Sequence, residues 1–211
     1  MTIWYLARAA GLSALVLFSV STALGALVSR RGPATRRYVV QYVHRATAAL
    51  GLVVLALHIG LLLADSYAGV GWVGAIVPFE SGYRPGWVAL GTIAGWVFVL
   101  AAVLGLARGR LASSPRAARV WRGVHALAYL GWGAAMWHGF ESGTDSGLGW
   151  TRALYVVCLA GVLSATAWRV GGVLADRAAA SGTRDRFAGR PAPATTARVT
   201  PEPPFVNGVL R

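Results

Sequence analysis

The sequence has no lysine, only 7 acidic residues and a single cysteine. One cysteine excludes an internal disulfide framework and a thiolate metal cluster, because both need several cysteines. Cys158 lies within an apolar run and is expected to be a small buried residue. Only 13% of the residues are charged and 56% are hydrophobic, which is too apolar for an ordinary soluble domain of 211 residues. These shortages predict a membrane protein.

All 20 basic residues are arginines, and the formal net charge is +13. A charge of this size is typical of nucleic-acid-binding proteins. Here the arginines flank long apolar runs instead of forming a basic helix or stripe, which is the distribution that sets membrane topology. No nucleic-acid partner is therefore expected.

Several stretches are apolar over the roughly 20 residues that a transmembrane helix needs. The first resembles a signal peptide, but cleavage after Ala26 would leave four arginines on the translocated side, so we retain it as a helix. The sequence thus predicts an all-α membrane bundle of about five transmembrane helices within residues 1–175. The predicted spans are 4–28, 39–64, 86–107, 120–140 and 150–174.

The arginines also predict the orientation of the bundle. All of them except Arg8, Arg84 and Arg152 fall on one side, after the first and third spans, at the start of the second, and in the tail. Arginine-rich segments remain in the cytoplasm, so the amino terminus is expected outside and the carboxy terminus inside. The membrane is expected to be the plasma (inner) membrane of a bacterium. The aromatic segment 66–85 is expected in the outer interface. Residues 176–211, rich in Ala, Arg, Thr and Pro, are predicted to form a disordered cytoplasmic tail.

All four histidines lie in two predicted spans, His44 and His58 in the second and His125 and His138 in the fourth. A polar ring within a membrane is costly and suggests a functional site. On an α-helix, His44 and His58 lie ~21 Å apart along the axis and about 40° apart around it. The second and fourth spans run in the same direction, so His44 is level with His125 and His58 with His138. Two imidazoles at one level are how a bis-histidine haem iron is held.

The spacing of the other two histidines fits this arrangement less well. Thirteen residues of ideal helix leave His138 about 140° away from the face of His125. We expect a local distortion or an angled approach of the ligand, for which Gly131 and Gly133 are the candidate positions. A tetrahedral zinc site is excluded for all four rings, because pairs ~20 Å apart cannot reach one ion. The sequence also has neither a Ser-His-Asp pattern nor the C-x-x-C-H of c-type haem attachment.

At these residues the chain resembles the ferric reductase-like transmembrane family, which includes the membrane domains of ferric reductases and NADPH oxidases and the haem subunit of the methionine sulfoxide reductase system. The resemblance covers roughly residues 5–172 and depends on the two histidine spacings and on short motifs around them. These motifs are Leu57-His58, Pro78 to Pro85, Trp121 to His125, and His138-Gly139 followed by Gly143-Thr144-Asp145.

The resemblance implies two b-type haems, one held by His44 and His125 and the other by His58 and His138. It also implies electron transfer across the membrane to an acceptor outside, which would be a ferric chelate, dioxygen or a partner protein. Arg84 is a candidate partner for a haem propionate on the outer side. Oxidase-type members carry a fused flavin and NADPH domain that this sequence lacks, so the donor is expected to be a separate flavoprotein or quinol.

A different class of protein stays open at this point. The histidines of a non-haem transporter or scaffold would serve as polar contacts between helices. A haem component of an oxidoreductase and a haem-free helical bundle therefore both fit the sequence, and they differ in whether the histidines bind iron.

Overall fold

In a computed structural model the chain is helical, and the structure describes residues 2–28 and 33–188, with side chains as far as residue 181. The described part contains helices and connecting turns and no strand. Its helices are α1 (Thr2–Leu27), α2 (Ala34–Ala64), α3 (Gly71–Ile76), α4 (Pro85–Leu106), α5 (Arg108–Leu111), α6 (Pro115–His125), α7 (Ala128–Ser142) and α8 (Gly149–Ala188).

Four of the described helices are long and apolar enough to cross a membrane. They are α1, α2, α4 and the Gly149–Ser181 part of α8, and they match four of the five predicted spans. The all-α class is therefore confirmed for the described residues, and four helices of this length and composition are typical of a multi-pass membrane protein. The remaining predicted span, 120–140, is divided between α6 and α7. Because α7 has only 15 residues, it rises about 22 Å, less than the ~30 Å of a hydrocarbon core.

The division between α6 and α7 is a tight turn at Ala126 and Leu127. Leu127 N–H donates to the Val124 carbonyl and Tyr129 N–H to the Ala126 carbonyl, both over three residues instead of four. The backbone angles of Leu127, φ −59° and ψ −19°, are those of a 3₁₀ turn. The expected distortion therefore exists but lies at this turn. Gly131 instead marks a close helix contact, where an added Cβ would lie 2.7 Å from Val97.

Two antiparallel helix pairs form the core of the bundle. Helix α1 packs along α2, and α4 packs along α7. The pairs meet at a buried cluster whose central members are Phe18, Phe98 and Trp132. The Trp132 indole N–H donates to the Ser19 hydroxyl at 2.8 Å inside this cluster. Helix α3 lies in the segment predicted for the interface, and Trp72 and Ile76 on it are exposed.

The end of the chain differs from the prediction. A disordered tail was expected from residue 176, but α8 continues to Ala188. The physical reason is that residues 175–188 are rich in alanine and arginine, which favour helix, and the first proline of the tail is Pro191. The rest of the predicted tail, 189–211, lies outside the described residues.

Candidate functional site

The four histidines form two pairs, each with one ring from α2 and one from the α6–α7 segment. In the first pair, the ring centres of His44 and His125 lie 6.3 Å apart and the ring planes are 77° apart. In the second pair, His58 and His138 both line one cavity of about 390 Å³ with mainly apolar walls. All four rings are half-buried. The structure thus brings together the residues that the sequence placed at the same levels.

Three of the four rings are fixed by backbone carbonyls of a neighbouring helix. The Nδ1 of His58 lies 2.7 Å from the Ala7 carbonyl oxygen. The Nδ1 of His44 lies 2.8 Å from that of Ser21. The Nδ1 of His138 lies 2.8 Å from that of Trp87. A carbonyl oxygen can only accept, so Nδ1 carries the proton and donates in each case.

This arrangement leaves the other ring nitrogen available. No Nε2 of these three histidines has a hydrogen-bond partner among the residues that the structure describes. Metal-bound histidines commonly donate Nδ1–H to a carbonyl or carboxylate, which fixes the tautomer and makes Nε2 a better ligand. The three rings therefore have the hydrogen bonding of metal ligands.

A glycine lies under each histidine ring on the facing helix. A Cβ added to Gly11 would lie 3.0 Å from the ring of His58. A Cβ added to Gly25 would lie 3.2 Å from the ring of His44, and one added to Gly91 would lie 2.8 Å from the ring of His138. A Cβ added to Gly105 would lie 3.8 Å from the ring of His125. A Cβ at Gly91 would force the ring of His138 to move, and a Cβ at Gly11 or Gly25 would be closer to its ring than ordinary van der Waals contact.

Each glycine follows by four residues the residue whose carbonyl faces the same ring. Residues i and i+4 share one face of a helix, so the missing side chain lets the ring reach the carbonyl one turn earlier. That carbonyl already accepts the helical N–H bond, and its second lone pair accepts from the imidazole. The pairs are Ala7 with Gly11, Ser21 with Gly25, and Trp87 with Gly91. Gly105 also follows Ala101 by four residues, but the Ala101 carbonyl makes no hydrogen bond with His125.

The two helix pairs are related by an internal repeat. Residues that touch the histidines or the core occur in both halves, and the two members of each equivalent pair are separated by the same number of residues along the chain. Gly11 corresponds to Gly91 in this way, and His58 to His138. The glycines at positions 51 and 131 and the phenylalanines at positions 18 and 98 obey the same offset. His125 is the exception, since the offset carries His44 to position 124 and the histidine comes directly after it. The second half therefore has one residue fewer between its histidines.

The 3₁₀ turn lies where that residue is missing. A 3₁₀ residue rises about 2 Å and turns about 120°, compared with 1.5 Å and 100° in an α-helix. Two or three residues wound in this way restore about 1 Å of rise and part of the lost rotation. The turn at Ala126 and Leu127 thus recovers part of the difference between the histidine spacing in α6–α7 and the longer spacing in α2.

Arg84 lies apart from the histidine cavity. Its guanidinium donates to the Glu141 carbonyl and lies over the Tyr83 ring, 5.7 Å from the ring centre. It is exposed and is not among the residues that line the cavity. Its predicted role at a propionate stays a prediction.

A different arginine lines the cavity of the second pair. Arg8 of α1 forms an ion pair with Asp145 of the α7–α8 connection, and both side chains are largely buried. Arg8 was not predicted as a site residue. A signal was present, because Arg8 is the one arginine near the start of the first apolar run.

The glycines were missed as well, although they leave a signal in the sequence. The spacing from Gly11 to Gly25 equals that from Gly91 to Gly105, and His44 and His58 have this spacing too. The carbonyls that bind Nδ1 leave no such signal, because a backbone group is present at every position.

The spacing of the first histidine pair fits a bis-imidazole iron site. Two nitrogen–metal bonds of about 2 Å, with about 1.2 Å from nitrogen to ring centre, would separate two ring centres by roughly 6.4 Å. The 6.3 Å between His44 and His125 matches that separation. Comparisons of the chain with family models, curated proteins and solved structures found no significant match.

Proposed function

We propose that this chain is a two-haem membrane cytochrome of the ferric reductase-like kind, which passes electrons across a bacterial inner membrane. His44 and His125 would hold one b-type haem, and His58 and His138 the other. The observation that carries the proposal is the state of the rings: Nδ1 is hydrogen-bonded to a backbone carbonyl in three of them, and Nε2 is left without a partner in the described structure.

The glycines add independent support. Interhelical polar contact alone explains a bond between Nδ1 and a carbonyl, and this is the role that a transporter or scaffold would give the rings. It does not explain why three facing glycines leave room for the rings, nor why ring centres in two helices lie one metal site apart. Iron ligation explains all of these features together.

The proposed topology has five spans, with α6 and α7 crossing together as one bent segment. The amino terminus is outside and the carboxy terminus inside, as the arginine distribution indicates. The first histidine pair then lies on the cytoplasmic side and the second on the outer side. The two pairs are ~20 Å apart along the helices, so they would form two sites in series.

The protein residues would bind, orient and insulate the cofactors. A haem supplies one-electron chemistry when bound. The two imidazoles of each pair would hold the metal between them, and a site held in this way would favour electron transfer over binding of a small molecule. The donor would be a separate cytoplasmic flavoprotein or quinol, and the acceptor a ferric chelate, dioxygen or a partner protein outside.

Spectroscopy of the purified chain tests this proposal. We expect protein expressed with adequate haem supply to show a Soret band and about two extractable b-type haems per chain. The control is a variant with all four histidines replaced by leucine, which should insert and carry none. Stable wild-type protein without haem would reject the cytochrome and favour a helical bundle with structural histidines.

A further inference from the structure

His125 departs from the pattern of the other three histidines. Its Nδ1 is buried and has no hydrogen-bond partner among the described residues. The Ala101 carbonyl, which is equivalent to the Ser21 carbonyl that holds His44, makes no hydrogen bond with this nitrogen. His44, its partner in the first pair, is held twice by Ser21, through the carbonyl at 2.8 Å and the hydroxyl at 3.0 Å.

The internal repeat shows what has been lost at His125. Ser21 in the first half corresponds to Ala101 in the second, so no hydroxyl is present there. The residue missing near Ala126 also shifts His125 by one position relative to its carbonyl. A ring held by neither group needs another constraint if its plane is to stay fixed.

Trp121 supplies a contact of that kind. Its indole stacks on the His125 ring, with centres 5.1 Å apart and planes 10° apart. The indole is itself fixed, because its Nε1–H donates to the Leu104 carbonyl at 2.8 Å. The Arg108 guanidinium lies over the same indole at 5.4 Å from the ring centre, a cation–π contact. One residue thus connects the end of α4 to the ring of His125.

We propose that Trp121 is a positioning residue, which sets the plane of the His125 ring in place of the hydrogen bond that the other histidines make. This inference rests on the proposed function, since the orientation of the ring matters most when it is an iron ligand. The stack holds the His125 plane 77° from that of His44. When two imidazoles hold one ferric iron, the angle between their planes determines with which d orbitals each ring overlaps. It therefore determines the anisotropy of the low-spin electron paramagnetic resonance signal.

The test compares Trp121→Leu with Trp168→Leu in the full chain by electron paramagnetic resonance and potentiometric titration. Trp168 is a matched control because it lies on α8 and is 77% exposed. The near-perpendicular rings predict a strongly anisotropic low-spin signal for the first pair of wild-type protein. In Trp121→Leu this signal should shift or broaden and the midpoint potential of the same haem should move, while the signal of the second pair stays unchanged.

Two further variants separate positioning from folding. Trp121→Phe keeps an aromatic face against His125 and should keep the wild-type signal. Adding Ala101→Ser to Trp121→Leu places a hydroxyl at the position equivalent to Ser21. This second change should restore much of the wild-type signal. Unchanged signals in Trp121→Leu, equal changes in the Trp168 control, or loss in Trp121→Phe as large as in Trp121→Leu would overturn the inference. Absence of haem from wild-type protein would instead reject the proposed function.

Discussion

Phe18 and Phe98 stack face to face at the centre of the bundle, with ring centres 3.9 Å apart and planes 9° apart. The two residues occupy equivalent positions in the two halves of the internal repeat. Their contact therefore lies where the α1–α2 and α4–α7 pairs meet. It separates the level of His44 and His125 from that of His58 and His138.

Replacing Gly91 by alanine tests the role of the glycines. The new Cβ would lie 2.8 Å from the His138 ring, and this ring is held to the Trp87 carbonyl. We expect the spectrum of the second pair to shift or be lost, with that of the first pair intact. Alanine favours helix over glycine by about 1 kcal/mol, so a loss would not come from helix propensity.

Gly86→Ala is the matched control for this change. Gly86 lies in the same helix, and a Cβ there meets nothing within 4 Å. Equal haem spectra for the two variants would show that the ring has room to move and that the glycine is not required.

A double-mutant cycle on Ser19 and Trp132 measures the bond that connects the two halves. The indole N–H donates to a hydroxyl that itself donates to the Leu15 carbonyl, and all of these groups are buried. Hydrogen bonds of this kind in membrane proteins contribute about 0.6 kcal/mol on average and at most about 1.7 kcal/mol. We predict a coupling in that range between Ser19→Ala and Trp132→Phe from unfolding in detergent. A coupling of zero would mean that the bond adds no stability; exposed Ser13 is the control position.

Breaking the ion pair between Arg8 and Asp145 should destabilise the protein more when one partner is removed than when both are. Removal of one leaves a largely buried charge without its partner. We expect Arg8→Gln and Asp145→Asn each to lower the thermal stability and the double variant to recover part of it, with a coupling of about 1–2 kcal/mol. The control is Arg152→Gln, because the guanidinium of Arg152 donates to the Ser146 carbonyl. Additive losses would show that the two charges act independently.

Topology reporters test the orientation. An enzyme that is active only after export should be inactive when fused after Arg211 and active when inserted at Gly147, between α7 and α8. The reason is that the arginine-rich ends of the spans stay in the cytoplasm. Activity of the reporter fused after Arg211 would show that the order of the two histidine pairs across the membrane is the reverse of the one proposed.

The long helices and the levels of the histidines could be predicted from sequence. A run of about 20 apolar residues has few alternatives to a membrane helix, and 1.5 Å per residue fixes the height of each ring. The bend at Ala126 could not be predicted this way, because these residues are ordinary helix formers. Only comparison with residues 44–58 of the same chain reveals the missing residue.

The surroundings of the histidines were also beyond the sequence interpretation. Which carbonyl receives each Nδ1 depends on how α1 and α4 dock, and a docked helix presents carbonyls on every face. The backbone carbonyls of Ala7 and Trp87 accept the same kind of bond, although the side chains of these two residues differ. Arg84 had the stronger sequence argument, yet Arg8 is the arginine that lines the cavity.

The central claim is that His44 with His125 and His58 with His138 form two separate iron sites. The most direct measurement is the haem content and the low-spin spectrum of the four single His→Ala variants. We predict that His44→Ala and His125→Ala each remove or alter one signal, and that His58→Ala and His138→Ala do so to the other. A double change within a pair should be no worse than either single change, whereas changes across pairs should add. If His44→Ala and His58→Ala abolished the same single haem, the account would be contradicted.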